Sequence, residues 1–192
     1  IGFVLLKGGN SKNTGNITSD SAANGTIGIM ADKAKVDNNK TTGVITLAGK
    51  SSVGIYGINE SEIENSGSIL ITSTDNDSKS VGILADKGTA TNKGTIKVGA
   101  TTSNDSNAVG IYVKNAKLTT DGDKIVLQGN GNNTKSPLGI YAKADSSIGT
   151  TVKDITINQG TNPLSISSKK AVGIYIEDGS TGNNKLKLVN NS

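Results

Sequence analysis

The sequence contains no cysteine, histidine, tryptophan or arginine. Because cysteine is absent, disulfides and thiol chemistry are excluded, and the further lack of histidine excludes the ordinary zinc sites. All 20 basic residues are lysines, which alternate with acidic and amide residues and form no basic block. The net charge of +4 therefore does not predict a nucleic-acid partner, which needs a basic stripe with interleaved aromatic residues.

Large apolar side chains are also scarce, with 33% hydrophobic and 3% aromatic residues. A compact globule built around large side chains is therefore not expected, although 192 residues suffice for one domain. No window offers the ~18 apolar residues of a membrane span, so we expect no membrane contact by this segment. The opening IGFVLLKGG is too short for a signal peptide and lacks a charged n-region. We interpret residues 1–192 as a single segment of a longer chain.

One short phrase is present six times. AVGIY occurs at 108–112 and again at 171–175, and its close variants are SVGIY, SVGIL, PLGIY and TIGIM. A period of 26 to 34 residues between the copies predicts a solenoid. The glycines of the six copies are Gly28, Gly54, Gly82, Gly110, Gly139 and Gly173.

Apolar residues alternate around each glycine, as in Val53 and Ile55, and this period of two indicates a β-strand. We predict that the valine and isoleucine point inward, and that the glycine and the last residue of the phrase point outward. Two more strands complete each unit. The second, often introduced by Asn-x-Gly, is predicted at 13–18, 41–47, 65–71, 92–98, 120–127, 151–157 and 183–188. A shorter one between these two is predicted at 34–36, 61–63, 89–90, 116–118 and 146–148.

Three short strands in each repeat describe one coil of a parallel β-helix. The predicted fold class is therefore all-β, a right-handed parallel β-helix (solenoid) of about six coils of roughly 28 residues with three short strands each. A single coil buries too little apolar surface to offset its ordering entropy, so the coils must stack. Asn65 and Asn92 stand two residues before Gly67 and Gly94, and we predict a left-handed corner and a ladder of stacked amides there.

Repeats of the form N-x-G-x-I-x-[VIL] followed by [AS]-V-G-I-Y, in a chain rich in asparagine and lysine, span about residues 13–188. This pattern resembles the passenger domains of the large fusobacterial type V autotransporter adhesins. The resemblance implies a secreted β-helical passenger, anchored in the parent protein by a C-terminal outer-membrane β-barrel and displayed on the bacterial cell surface. It also implies partners among host-cell or bacterial surface proteins or glycans. The motif fixes no ligand-contacting residue.

Chemistry within the segment is not expected, because no acidic pair has a catalytic context. Glu60, Glu62 and Glu64 alternate with residues of a strand and are predicted to lie on its outer face. Asp121 and Asp123 flank a glycine, as turn residues do. The oxygen-rich stretches 73–78 and 119–123 lack the full calcium-loop pattern, so we predict no metal and no cofactor.

Two surfaces are candidates for binding. The first is the column formed by the last residues of the phrase, which contains all four tyrosines: Tyr56, Tyr112, Tyr141 and Tyr175. Its alternatives are that each ring covers the glycine beside it, or that a loop covers the whole column. The second is the corner where length variation concentrates, at 73–79, 99–107, 129–136 and 159–170; the alternative there is tolerated loop drift. The candidate residues in these loops are Asp75, Asp77, Asn104, Asp105, Asn132, Asn133, Asn162 and Leu164.

Three functions remain open on the sequence. The first is an adhesive and structural passenger segment that makes reversible contacts at the cell surface. The second is a carbohydrate-active β-helix, which would need two carboxylates from adjacent coils converging on one groove. The third is a passive spacer.

Overall fold

The structure is a computed structural model. It describes residues 2–39, 41–72, 79–99, 107–121, 125–128, 137–145, 153–158, 165–166, 171–178 and 186–191. All regular secondary structure in these ranges is β-strand, and every strand pair is parallel. The described residues include no helix that is long and apolar enough to cross a membrane.

The strands form three stacks along the solenoid. The first stack consists of β1 (Phe3–Leu6), β4 (Ile27–Asp32), β7 (Val53–Ile58), the first half of β10 (Val81–Asn92), the first half of β12 (Val109–Asp121), β14 (Leu138–Ala144) and β17 (Val172–Asp178). The middle stack consists of β2 (Asn10–Asn13), β5 (Lys35–Asn38), β8 (Glu62–Asn65), the second halves of β10 and β12, β15 (Lys153–Asn158) and β18 (Leu186–Asn191). The third stack consists of β3 (Asn16–Ser19), β6 (Val44–Leu47), β9 (Ser68–Ile71), β11 (Thr95–Val98), β13 (Ile125–Leu127) and β16 (Ser165–Ile166).

Equivalent residues of successive repeats are paired directly, which confirms the predicted parallel β-helix. Ile55 pairs with Ile83, and Ile83 pairs with Ile111, in one continuous column. The strand bearing the repeated phrase, a middle strand and a third strand follow one another along the chain, as the sequence predicts. The right-handed sense of the coil stays a prediction.

The core is a set of apolar columns enclosed by the three stacks. The isoleucine of the phrase is fully buried in β4, β7, β10 and β12, with 0% of its surface exposed. From the third stack, Ile45, Ile69, Ile96 and Ile125 form an equally buried column. Because each isoleucine packs on its copies above and below, the burial of one coil depends on its neighbours.

Two predicted strands lie in a different stack from the one expected. The segments 151–157 and 183–188 were expected in the third stack, but β15 and β18 belong to the middle stack, where β15 pairs with the end of β12. The third-stack position beside β13 is instead taken by β16, in which Ile166 pairs with Leu127. The predicted loop 159–170 is therefore wrong at 165–166. The apolar alternation of Leu164 and Ile166 is the sequence signal for this strand, whereas the predicted strand at 146–148 lies outside the described residues.

Strand β1 is a further copy of the phrase strand that the six repeats did not include. Gly2 precedes Gly28 by 26 residues, the same spacing as the next pair of glycines, and Phe3 pairs with Ile29. The phrase is degenerate here, since IGFV replaces VGIY. Spacing alone therefore predicts this strand where residue identity does not.

The predicted outward orientation of the repeated glycine is wrong. A Cβ built on Gly54 points at the core, 2.8 Å from the Ile69 side chain, and lies 2.5 Å from the backbone oxygen of Gly82. Val53 is only half-buried, and the ladder pairing passes from Val53 to Ile55 without including the glycine. The strand therefore departs from strict alternation at this point. Glycine is required because the neighbouring coil approaches too closely for any side chain.

Candidate binding surface

The structure describes the tyrosines among the sequence-predicted site residues and none of the loop candidates. Eight candidates lie outside the described residues: Asp75, Asp77, Asn104, Asp105, Asn132, Asn133, Asn162 and Leu164. The site is therefore built from the faces of the stacks.

The four tyrosines occupy one column of the first stack, as predicted. Tyr56 pairs with Leu84, which pairs with Tyr112, and the column continues through Tyr141 to Tyr175. All but Tyr175 are half-buried, whereas Tyr175 is 48% exposed. The column thus lies on the outer surface of the first stack.

The tyrosine rings interact chiefly with their neighbours in the column. Tyr112 and Tyr141 are stacked, with ring centroids 4.7 Å apart and ring planes 7° from parallel. Tyr175 meets Tyr141 edge-on at 5.3 Å. A sugar docks on the face of an aromatic ring, and the facing surfaces of Tyr112 and Tyr141 are already in contact. This arrangement favours a structural role for the ring pair.

A charged column runs beside the tyrosines, two residues further along β10, β12, β14 and β17. Lys114 is 3.0 Å from Asp145 and 4.0 Å from Asp86. In the next coils, Lys143 donates a 2.8 Å hydrogen bond to Glu177, and the Tyr141 hydroxyl also donates to that carboxylate. The aromatic and charged columns are therefore joined at the last described coils.

The pKa values on this face follow from those pairs. The hydrogen bond from Lys143 lowers the pKa of Glu177, and the Tyr141 hydroxyl adds to the effect. Lys114 likewise lowers the pKa of Asp145 through a hydrogen bond. The Glu177 carboxylate raises the pKa of Tyr141, because ionising the hydroxyl would remove its donated proton and place two negative charges together.

The middle stack carries a second set of ion pairs. Lys35 lies 3.2 Å from Glu62, and Lys93 donates a 2.7 Å hydrogen bond to Glu64, which lowers the pKa of that carboxyl. Ile63 between the two glutamates is buried, so the predicted outward orientation of Glu62 and Glu64 is confirmed. Glu60 lies in the bend before β8, so its predicted place on the strand is wrong. Glu62 and Glu64 are ion-paired surface residues.

Buried asparagines form a ladder at the corner between the middle and third stacks. Asn13 Nδ2 donates to Asn38 Oδ1 (2.8 Å), Asn38 to Asn65 (2.8 Å) and Asn65 to Asn92 (2.7 Å). Asn92 Nδ2 then donates to the Thr120 hydroxyl at 3.3 Å. The predicted amide ladder is confirmed.

The predicted left-handed backbone at this corner is wrong. Asn65, Asn92, Gly67 and Gly94 all lack positive φ angles. Glycine is needed there for close approach, because a Cβ on Gly94 would overlap the backbone oxygen of Gly67. Lys33, Asn59, Lys87 and Asn115 are left-handed and lie at another corner, between the first and middle stacks.

A family model described as the BigA third pectate lyase-like domain matches residues 1–153 of this chain. The chain belongs to this family. Its pectate lyase-like domain is a β-helix of large bacterial surface proteins, so the chain fits a passenger-domain fragment with a structural role at the cell surface or outside the cell. No curated protein and no solved structure matches the sequence.

A pectate lyase-like fold supplies no catalytic group by itself, so chemistry must be judged from side chains. Within the described ranges, no three residues among histidine, cysteine, aspartate and glutamate group as metal ligands. A general acid needs a raised carboxyl pKa, whereas the pKa values of Glu64, Asp145 and Glu177 are lowered by lysines. None of these three carboxyls therefore has the environment of a general acid.

Acid is expected to weaken this pectate lyase-like domain through the same three carboxyls. Each has a folded-state pKa below its unfolded value, so its stabilising contribution is complete above about pH 4.5 and is lost as the pH falls through the folded pKa. We expect urea midpoints to be equal at pH 7 and pH 6 and lower at pH 3. Because the pairs are exposed, 0.5 M NaCl should shrink the difference. A midpoint that is unchanged at pH 3 would contradict this assignment.

Replacing Tyr141 separates the role of its ring from that of its hydroxyl. Tyr141→Ala removes the stacked contact with Tyr112 and the edge contact with Tyr175, each worth about 0.5–1.5 kcal/mol, so a loss of about 2 kcal/mol is expected. Tyr141→Phe keeps both contacts and should cost less than about 1 kcal/mol. Urea unfolding measures both variants, with Tyr56→Phe as the control. Equal losses for Phe and Ala would show that the hydroxyl, not the ring ladder, stabilises this face.

Proposed function

We propose that this domain is a non-enzymatic, adhesive and structural segment of a surface-exposed passenger of the autotransporter type. It holds its surfaces away from the cell and makes reversible contacts with proteins or glycans of host cells or other bacteria. The family assignment gives a structural domain of a bacterial surface protein. To this the proposal adds adhesion, attachment to a C-terminal outer-membrane β-barrel and a role in virulence.

The observation that supports this proposal most is the unbroken pairing of like residues along the first stack. Seven strands are in register from β1 to β17, with an apolar core beneath and an aromatic and charged surface above. A rod of this kind gains length by adding coils without changing its cross-section, which suits a spacer that displays contact surfaces. Its outer face carries tyrosines, lysines and carboxylates, which serve non-covalent contacts.

The carbohydrate-active alternative has less support. It needs two carboxylates on one groove, one of them kept protonated near neutral pH. On the described tyrosine face, Lys114 lies between Asp86 and Asp145, and the pKa of Asp145 is lowered. A lysine at this place neutralises the carboxylates that hydrolysis would use.

Beads coated with the purified chain test the proposal on cultured epithelial monolayers. The expected result is retention of beads under flow, above that of albumin-coated beads, with no release of sugar from polygalacturonate or from the cell surface. Beads carrying the heat-unfolded chain should not be retained. Retention equal to that of albumin would support the passive spacer, and release of reducing or unsaturated sugar would support an enzyme; either result would overturn the proposal.

A further inference from the structure

The corner between the first and middle stacks gathers lysines that are far apart in the sequence. Lys7, Lys33 and Lys87 each stand five residues after the glycine of their repeat; the equivalent residues of the other four coils are Asn59, Asn115, Ala144 and Asp178. The backbone hydrogen bonds Lys7 N to Asp32 O and Lys33 N to Ile58 O place these residues in successive rungs. We call Lys7, Lys33 and Lys87 the lysine corner.

All three lysines adopt a left-handed backbone conformation. Their φ angles are 39° for Lys7, 51° for Lys33 and 66° for Lys87. Asn59 and Asn115 have the same conformation, and asparagine is the residue that tolerates it best after glycine. A lysine in this region costs stability relative to asparagine or glycine and gains nothing in the core. Three costly choices at one corner point to a use for the ammonium groups.

The three lysines of the lysine corner have no carboxylate partners. Several lysines on the strand faces have them, such as Lys12 with Asp37 at 3.5 Å and Lys35 with Glu62 at 3.2 Å, whereas Lys97 and Lys117 have none among the described residues. Among the described residues, Lys7, Lys33 and Lys87 have no carboxylate within the 4.0 Å of an ion pair. Their charge is therefore available to an external anion.

The three side chains line one open depression of about 380 Å³, together with Asp32, Asn59 and Glu60. The Asp32 carboxylate accepts a 2.8 Å hydrogen bond from the Asn59 amide, so an amide rather than a lysine satisfies it. Lys7 and Lys33 are one rung apart and Lys33 and Lys87 two, which corresponds to about 5 and 10 Å along the rod. The depression thus presents three ammonium groups in a row parallel to the long axis, beside the carboxylates of Asp32 and Glu60.

We propose that the lysine corner binds a linear acidic polysaccharide whose sulfate or carboxylate groups contact the three ammonium groups in turn. The proposal rests on the adhesive function proposed above and names the class of its ligand. A polysaccharide fits better than single-stranded nucleic acid, because no aromatic residue lines the depression and bases would have no stacking platform. A shallow open row also suits an extended chain better than a small buried ligand.

The test compares two triple variants of the full chain on immobilised heparin and on immobilised polygalacturonate, which separate sulfate from carboxylate recognition. One variant combines Lys7→Gln, Lys33→Gln and Lys87→Gln. The control combines Lys12→Gln, Lys35→Gln and Lys93→Gln, which removes the same number of charges from ion-paired lysines. We expect the corner variant to lose at least ~10-fold in affinity for one or both polymers, and the control to lose less than ~3-fold.

Salt dependence gives a second readout. Each lost lysine contact should reduce the slope of log affinity against log salt concentration by about 1, and the control should keep the wild-type slope. Equal losses in both variants, or equal retention of duplex DNA by the wild type, would show general attraction to polyanions and overturn the proposal. Wild-type beads that adhere to cells but bind neither polymer would overturn the lysine corner alone. Failure to adhere at all would overturn the adhesive function. Urea midpoints of both variants establish that they are folded.

Discussion

Gly82→Ala is expected to destabilise the domain by about 3 kcal/mol, even though alanine is the smallest possible side chain. A Cβ at this position lies 2.5 Å from the backbone oxygen of Gly110 and 2.8 Å from the Ile96 side chain. The oxygen belongs to the next coil and is held by the parallel ladder, so it moves only if the coils separate. The expected result is a lower urea midpoint for the whole transition, measured by far-UV circular dichroism.

Gly15→Ala is the matched control, because a Cβ on Gly15 meets no atom within 4 Å. This glycine also lacks a positive φ angle, so alanine is compatible with its backbone. Such a substitution reduces the entropy of the unfolded chain and is expected to be neutral or to stabilise by about 0.5 kcal/mol. The same Gly→Ala substitution is thus expected to lower the stability at position 82 and to keep or raise it at position 15. A neutral Gly82→Ala would mean that the coils are further apart than the structure shows.

The contrast between these glycines shows which part of the fold the sequence predicts. Period and alternation predict the stacked coils, because the spacing of Gly28, Gly54 and Gly82 reports directly which residues lie above one another. They do not predict whether the glycine position faces the core or the solvent. Val53 and Ile55 suggest strict alternation, but the ladder pairing omits Gly54, and a Cβ at Gly54 would point at the core. The alternation of apolar residues predicts which side chains are buried. The close approach of two backbones has no sequence signal other than the glycine itself.

The binding surface was predictable to a similar extent. The tyrosine column follows from the repeat, since all four tyrosines hold the same place in the phrase. The lysine corner follows from the same offset of five residues after the glycine, but Lys7, Lys33 and Lys87 are separated by long stretches and resemble isolated surface lysines. Their left-handed backbone and their lack of partners become visible only in three dimensions.

The predicted stack of the strands in the last coils was wrong for a different physical reason. The segments 151–157 and 183–188 have the apolar alternation of third-stack strands, but β15 and β18 pair within the middle stack. Both stacks bury alternate side chains in the same core, so the pattern alone does not distinguish them. Where the connecting lengths change, as they do after β14, pairing partners decide the assignment.

Asn65→Ala is the second substitution with a large expected effect, a loss of about 3 kcal/mol. Asn65 is fully buried, accepts from Asn38 and donates to Asn92 within the ladder. Alanine removes both hydrogen bonds and leaves an N–H of Asn38 and the Oδ1 of Asn92 buried without these partners. An unsatisfied buried group costs about 1–3 kcal/mol, and there are two of them.

Asn65→Thr distinguishes loss of hydrogen bonding from loss of volume. The ladder also includes Thr120, whose hydroxyl accepts from Asn92 at 3.3 Å, so a threonine is compatible with this column. A hydroxyl at position 65 can accept once and donate once, and its expected loss is about half that of alanine. Asn16→Ala, at an exposed position of β3, is the control and should change stability by less than about 0.5 kcal/mol. If alanine and threonine at position 65 were equally destabilising in urea, the amide ladder would contribute through packing, and its hydrogen bonds would add nothing to the stacking of coils.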